Sequence, residues 1–366
     1  QERAGEIQGL GMSLVDSATS IRRGEELDLP ALEKFLAEKL PEYAGTLEVQ
    51  QFPSGYSNLT YLLKVGDRKL VLRRPPFGTK AKSAHDMGRE FKVLSGLRPL
   101  FPYCPEPLVY CQDESVLGSE FYLMSCIEGM IVRKDYPPEL EMNPEQVRQQ
   151  FFNLIDVLAE LHKVDYKAAG LEELGKPEGY VERQVKGWSK RYRAARTEDA
   201  PDFESTMSWL LEKKPGDSGH VGVIHNDFKL DNVIWDSQDP MRLIGVLDWE
   251  MATLGDPLMD LGSTLGYWVE KGDPDFLRAG RLMPTDAQGA PTREEIVQRY
   301  SERTGYSMEH MDFYFCFGLF RLAVIAQQIY YRYYHGQTAD KRFADCIHWV
   351  HGLERMCKEL MDGSSL

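Results

Sequence analysis

The chain has 366 residues, a net charge of −14, 42% apolar and 27% charged residues. That length suffices for two lobes or domains of ordinary size, and the composition is that of a soluble globular protein. The acidic balance argues against nucleic acid as a main partner. No basic and then apolar leader opens the sequence, and six cysteines (Cys104, Cys111, Cys126, Cys316, Cys346, Cys357) lie scattered without Cys-x-x-Cys spacing. The expectation is a reduced cytoplasm, no zinc site and no secretory signal.

Residues 1–27 mix charge and small residues without a firm period and read as an N-terminal arm. Asp28 can cap a helix whose first turn suits Pro30 and whose Leu32, Phe35, Leu36 and Leu40 share a face; Pro41 ends it. Leu47–Phe52, Leu59–Val65 and Lys69–Arg73 read as a β-meander, its first turn (Pro53 to Asn58) rich in small residues. After Pro75-Pro76 a helix is expected over His85–Leu97, with Met87, Phe91 and Leu94 facing inward. Val109–Cys111 and Glu120–Met124 would complete a sheet of about five strands, and Ser125 to Gly129 leads out of it.

The second half is helical in pattern. Asn143-Pro144 opens a helix to His162, apolar at Phe151, Leu154, Ile155, Leu158 and Leu161. His162 there reads as a cation favoured by the carbonyl end of the helix. In Tyr180–Arg196, Val181, Val185, Trp188, Tyr192 and Ala195 make a core stripe, while Arg183, Lys186, Lys190 and Arg193 share another face, with Arg191 and Arg196 beside them. Such a row in an acidic chain is either an anion-binding face or a solvated helix surface. Pro291–Thr304 and Arg342–Leu360 read as helices. Met311–Tyr334 is long and apolar but interrupted by Asp312, Arg321, Gln327 and Gln328, which suits a buried core helix better than a membrane span. Arg321 must find a partner there or reach a cleft, and a structural ion pair is expected ahead of substrate binding.

The densest polar stretch runs from Val221 to Leu261. Two apolar runs, Val233 to Trp235 and Leu243 to Leu247, are joined by turn residues and flanked by His225-Asn226-Asp227-Phe228-Lys229-Leu230-Asp231-Asn232 and Asp248-Trp249-Glu250. Carboxylates and an amide gathered at strand ends make a hard oxygen site suited to Mg2+, a metal that keeps substrate phosphates among its ligands.

The pattern H-N-D-x-x-x-x-N, followed by L-D-W-E and G-D-P-x-x-D-L, resembles the aminoglycoside phosphotransferase-like family of small-molecule kinases. Within it, the chain is most similar to the kinase-like domains found alone in bacteria or fused to acyl-CoA dehydrogenases. The resemblance implies an α+β, protein-kinase-like two-lobed fold. Residues 28–127 would form a small β-rich lobe ending in a hinge, and residues 128–366 a larger helical lobe. It implies ATP and Mg2+ as cofactors. Ser54, Gly55, Ser57 and Asn58 would cover the nucleotide phosphates. Arg73 would replace the strand lysine and pair with Glu90, with Arg74 as the rival for that role. Met124, Ser125 and Ile127 would border the adenine. Asp227 would be the base, Lys229 would face the moving phosphoryl group, and Asn232 and Asp248 would hold the metal. Asp256 and Asp260 would be structural. Glu250 would serve a second metal, nearby backbone or the acceptor. Only seven residues, Trp249 to Gly255, separate Asp248 from Asp256, too few for the activation segment of a protein kinase. The expected partners are therefore a nucleotide and a small acceptor. The basic face at Arg183, Lys186 and Lys190 suggests an anionic one such as a hydroxyacyl-CoA. A silent nucleotide-binding protein and an aminoglycoside or choline-type kinase are the alternatives. No membrane partner is expected, and the oligomeric state, a homodimer included, is left open.

Overall fold

The computed structural model describes residues 18–52, 58–77, 86–216 and 219–366. Ser54, Gly55 and Ser57, expected over the phosphates, and His85 lie outside the described residues. The chain divides into two units. One comprises the residues up to Ile131 together with Tyr166–Leu174 and Asn232–Ala252, and the other Val132–Asp165, Gly175–Asp231 and Thr253–Leu366.

The first unit is built on an antiparallel sheet. Its strands are β1 (Glu48–Gln51), β2 (Leu59–Val65), β3 (Arg68–Arg74), β4 (Pro107–Cys111) and β5 (Phe121–Ser125), in the order β1-β2-β3-β5-β4. Apolar residues at alternate positions of β2 and β3 (Tyr61 and Leu63, Leu70 and Leu72) point to one face and pack with Leu32, Phe35 and Leu36 of helix α1 (Leu29–Lys39). Asp28 caps α1 by accepting from the Ala31 N–H at 3.1 Å. The stretch read as a loose arm is tied down from residue 18 onward. Thr19 and Gln51 exchange backbone hydrogen bonds, Tyr61 donates to the Glu25 carbonyl, and Leu27 is buried. Helix α2 (Met87–Leu97) buries Met87, Glu90, Val93, Leu94 and Leu97. Phe91, expected to face inward, is half-buried and stacks on Tyr110. A short helix, α3 (Glu114–Leu117), links β4 to β5. The unit is completed by a hairpin downstream in the chain, whose strands pair with the register Val233↔Val246. Met130 and Trp235 exchange backbone hydrogen bonds at 2.7 and 2.8 Å, fastening the segment after β5 to the hairpin.

The second unit is mostly helical. In chain order it contributes α4 (Pro144–His162), α5 (Tyr180–Ala195), α6 (Glu204–Glu212) and β6 (Gly222–Ile224). The first unit's hairpin, β7 (Val233–Trp235) and β8 (Leu243–Val246), intervenes before β9 (Thr253–Gly255) pairs back onto β6. Then follow α7 (Pro257–Gly266), α8 (Asp275–Ala279), α9 (Arg293–Thr304), α10 (Met311–Tyr334) and α11 (Cys346–Gly363). By length and composition α10 could cross a membrane, yet 72% of its most apolar stretch is buried, against α5, α7 and α11. Glycine permits the closest crossing. A Cβ at Gly262 of α7 would strike the Tyr314 carbonyl of α10, and one at Gly318 would strike the Gly262 carbonyl. That crossing fixes α7, which carries Asp260 and is flanked by Asp256 at its N-cap and Tyr267 at its C-cap.

Candidate active site

In the first unit, Arg73 and Arg74 are consecutive on β3 and leave opposite faces of the sheet. Arg74 is only 2% exposed; it donates to the Leu117 carbonyl at 2.9 Å and lies over the Phe77 ring. Arg73 turns toward the acids: Nη1 is 3.0 Å from Glu90 Oε1, and Nη2 is 3.3 Å from Asp248 Oδ1 and 3.5 Å from Glu250 Oε2. Strand alternation separates the two arginines, and the contact with Glu90 assigns the role to Arg73. Burial pulls the Arg73 pKa down, but the facing acids, Glu90 above all, hold it above arginine's ordinary value. Its guanidinium is fixed as a cation beside the carboxylate expected to hold metal.

Asp248 follows β8 directly. The Leu247 N–H donates to the Asn232 carbonyl at 2.8 Å, so the hairpin register brings Asn232 and Asp248 to the same open end. Trp249 anchors the turn, its indole N–H donating to the Val246 carbonyl at 2.9 Å. Asp248 itself has φ 64°, a left-handed conformation that costs a non-glycine residue about 1–2 kcal/mol. Its carboxylate is 37% exposed. One carboxylate and one amide at a strand end are oxygen donors suited to a cation that draws its remaining ligands from phosphate and water, so these residues fit Mg2+. Glu250 accepts from the Asn58 amide at 2.9 Å and faces Arg73. At the end of β5, the Ser125 N–H donates to the Glu106 carbonyl and its hydroxyl accepts from the Glu106 N–H. Met124 is buried between Val71 and Pro107, and Ile127 lies close to Gly245.

In the second unit, a carboxylate on α7 organises the loop after β6. Asp260 is fully buried; Oδ2 accepts from the His225 N–H at 2.6 Å and from His162 Nε2 at 3.1 Å, and Oδ1 accepts from the Asn226 N–H at 2.8 Å. Burial pushes the Asp260 carboxyl up, but the bonds from His162 and the neighbouring His225 outweigh it and leave its pKa below the usual value. His162 is therefore no exposed cap: its ring is buried, with Nδ1 2.6 Å from the Tyr300 hydroxyl. His225 Nδ1 accepts from the Asp227 N–H at 3.2 Å. Asn226 takes φ 66°, a conformation asparagine tolerates, and the chain turns there to present Asp227. Asp256 caps α7 at the Leu258 N–H and accepts from Tyr314.

Both oxygens of Asp227 are engaged: Oδ2 by Lys229 Nζ at 2.8 Å and Oδ1 by the Tyr267 hydroxyl at 3.3 Å. Lys229 also lies 3.9 Å from Asp231 and 5.2 Å from the Tyr267 ring centroid. Burial alone would lower its pKa; Asp227 and Asp231 hold it above the ordinary lysine value. Sequence reasoning missed Tyr267. The signal was there, since Tyr267 falls seven residues, two helical turns, after Asp260 and so on the same face of α7 and its C-cap.

The core stripe of α5 is buried as expected, at Val181, Val185, Trp188, Tyr192 and Ala195. Its basic face is exposed and turned to local partners. Arg183 donates to the carbonyls of Lys176 and Glu178, Lys186 pairs with Glu182, and Arg193 pairs with Glu204. For Arg183 and Lys186 this geometry favours the solvated-surface alternative. Arg321, expected in an ion pair, instead donates to the Asn226 carbonyl at 2.6 Å and lies over the Trp188 ring.

The family model described as the phosphotransferase enzyme family matches residues 48–294. The chain belongs to that family. It is 36% identical over 329 residues to mouse acyl-CoA dehydrogenase family member 10 and 33% identical over 323 residues to human acyl-CoA dehydrogenase family member 11, covering 89% and 86% of this chain. It spans only 30% and 41% of the length of those two relatives. Among solved structures, a candidate aminoglycoside phosphotransferase from Ralstonia eutropha superposes with a TM-score of 0.80 at 30% identity, covering 93% of this chain and 100% of that one. Choline kinase from Cryptosporidium parvum, at 13% identity and a TM-score of 0.59 over 92% and 97% of the two chains, shares the fold. The architecture is accordingly α+β and protein-kinase-like, and the homologues support a small-molecule kinase.

Proposed function

We propose that the chain is an ATP- and Mg2+-dependent phosphotransferase acting on a hydroxyl of a small anionic metabolite. The observation that carries this reading is Asp227, held on a loop whose N–H groups are tied to buried Asp260, with Lys229 and Tyr267 fixing its two oxygens. Phosphoryl transfer asks mainly for positioning and charge neutralisation. Asp227 orients the acceptor hydroxyl and accepts its proton. The Lys229 ammonium, now on Asp227, supplies charge for the transferring group. Arg73 holds nucleotide phosphate oxygens as a bidentate cation. Asn232 and Asp248 would hold the metal, which when bound neutralises phosphate charge. The backbone of the segment from Ser125 to Gly129 would meet the adenine, with Met124 and Ile127 bordering it.

Support for an acyl acceptor comes from the relatives, which are named as acyl-CoA dehydrogenase family members. A hydroxyacyl-CoA is the leading acceptor. The test is ATP turnover against a panel of hydroxylated metabolites, hydroxyacyl-CoAs and kanamycin, for wild type and Asp248→Ala. Turnover of an acyl acceptor that Asp248→Ala abolishes supports the reading. Efficient phosphorylation of kanamycin contradicts the acceptor class, and wild-type turnover by Asp248→Ala contradicts the metal assignment.

A further inference from the structure

Arg321 sits in the middle of α10 and is only 5% exposed. A guanidinium largely withdrawn from water is best served by a carboxylate or by several acceptors. Among the described residues its one hydrogen bond goes to the Asn226 carbonyl, and it makes no ion pair. The acids of this part of the unit are committed elsewhere. Asp260 is taken by His225, Asn226 and His162, Asp256 by Leu258 and Tyr314, and Asp227 by Lys229 and Tyr267. Its plane lies over Trp188, 5.2 Å from the ring centroid, and the exposed Arg191 lies 4.6 Å from the same ring. Two guanidiniums on one indole compound the excess of positive charge.

The position of this charge is specific. Asn226, whose carbonyl Arg321 holds, directly precedes Asp227, and consecutive Cα atoms are about 3.8 Å apart. The Arg321 guanidinium is thus held against the backbone that presents Asp227, the carboxylate expected to receive the acceptor hydroxyl. We propose that Arg321 is a specificity-determining residue that binds a carboxyl-level oxygen of the acceptor, either a free carboxylate or the carbonyl of a thioester. This rests on the phosphotransferase reading above and moves acceptor recognition from the exposed face of α5 to a buried cation beside the base. Arg suits the task because its planar fork can keep the Asn226 carbonyl and still offer donors to the ligand.

The test is calorimetric binding of 4-hydroxydecanoate, 4-hydroxydecanoyl-CoA and decane-1,4-diol to wild type, Arg321→Lys and Arg321→Met, with ATP titrated alongside. Wild type should prefer the acid or the thioester to the diol by on the order of tenfold or more, as loss of a charge-assisted hydrogen bond implies. Preference for the acid assigns the free carboxylate, and preference for the thioester assigns its carbonyl. Arg321→Met should erase the preference and leave ATP binding unchanged; Arg321→Lys should reduce it several-fold, because the fork is lost. A purely structural arginine would weaken all three probes together and leave the ratio intact. Equal binding of acid, thioester and diol by wild type, no binding of acid or thioester, or a preference that survives in a folded Arg321 variant would each overturn the proposal. Turnover of a neutral acceptor, unaffected in Arg321→Met, would overturn it while leaving the phosphotransferase reading in place.

Discussion

Asp260→Asn is a near-isosteric change that removes one charge from the middle of the second unit. In the native protein the carboxylate accepts three hydrogen bonds, at 2.6, 2.8 and 3.1 Å, and is fully buried. An amide can accept at one atom only. Whichever way it is turned, its NH2 group faces a donor, either the Asn226 N–H or the pair from His225 and His162. Bonds to a charged group contribute about 1.5–3 kcal/mol each, and breaking a buried charged network costs about 3–5 kcal/mol. The expected loss is therefore about 3–5 kcal/mol, a large part of a typical total of about 5–15 kcal/mol. Because the lost bonds hold the backbone of His225 and Asn226, kcat should also fall, on the order of 10²-fold, as Asp227 loses its position. Urea unfolding followed by tryptophan fluorescence gives the first quantity, read from the midpoint at constant slope. The Asp260 pKa is depressed in the folded state, so its contribution is present above the unfolded carboxylate value of about 3.9 and is lost as pH falls through the lower folded value. The gap between wild type and variant should accordingly be full at neutral pH and close below about pH 4. A loss under about 1 kcal/mol with kcat unchanged would refute the assignment of Asp260 as the loop's anchor.

Arg73→Met should unfold the first unit more readily by about 3–5 kcal/mol, since Glu90 would be left buried without its cation; chemical denaturation checks this, and Arg73→Lys should recover only part of it. Reversing Lys186 and Lys190 to Glu should leave acceptor KM within about twofold, because exposed charges contribute little and Lys186 already faces Glu182. A large rise in acceptor KM would return recognition to α5.

Local pattern carried much of the fold. The meander β1 to β3, helix α1 with its Asp28 cap, the buried stripe of α5 and the hairpin around Asp236 to Pro240 all follow from short-range periodicity and turn chemistry, as does the Asp227–Asn232 spacing. Short or atypical elements were harder. β9 is three residues whose partner β6 lies about thirty positions earlier, and α7 opens on Gly-Asp-Pro and carries glycines that look like a loop until packed on α10. Partner choice was the least legible. Strand alternation says that Arg73 and Arg74 diverge, but not which one meets Glu90. Nothing local says that His162 reaches Asp260, 98 residues away, or that Arg321 ends on a carbonyl rather than a carboxylate.

The central claim, that Asp227 serves as the base of a phosphoryl transfer, is tested most directly by steady-state kinetics of Asp227→Asn with the acceptor found in the panel and ATP titrated. The amide keeps the shape and cannot take the proton. The account predicts a fall in kcat of about 10²–10⁴-fold with ATP affinity nearly unchanged. A variant that keeps wild-type kcat and loses ATP affinity instead would contradict it.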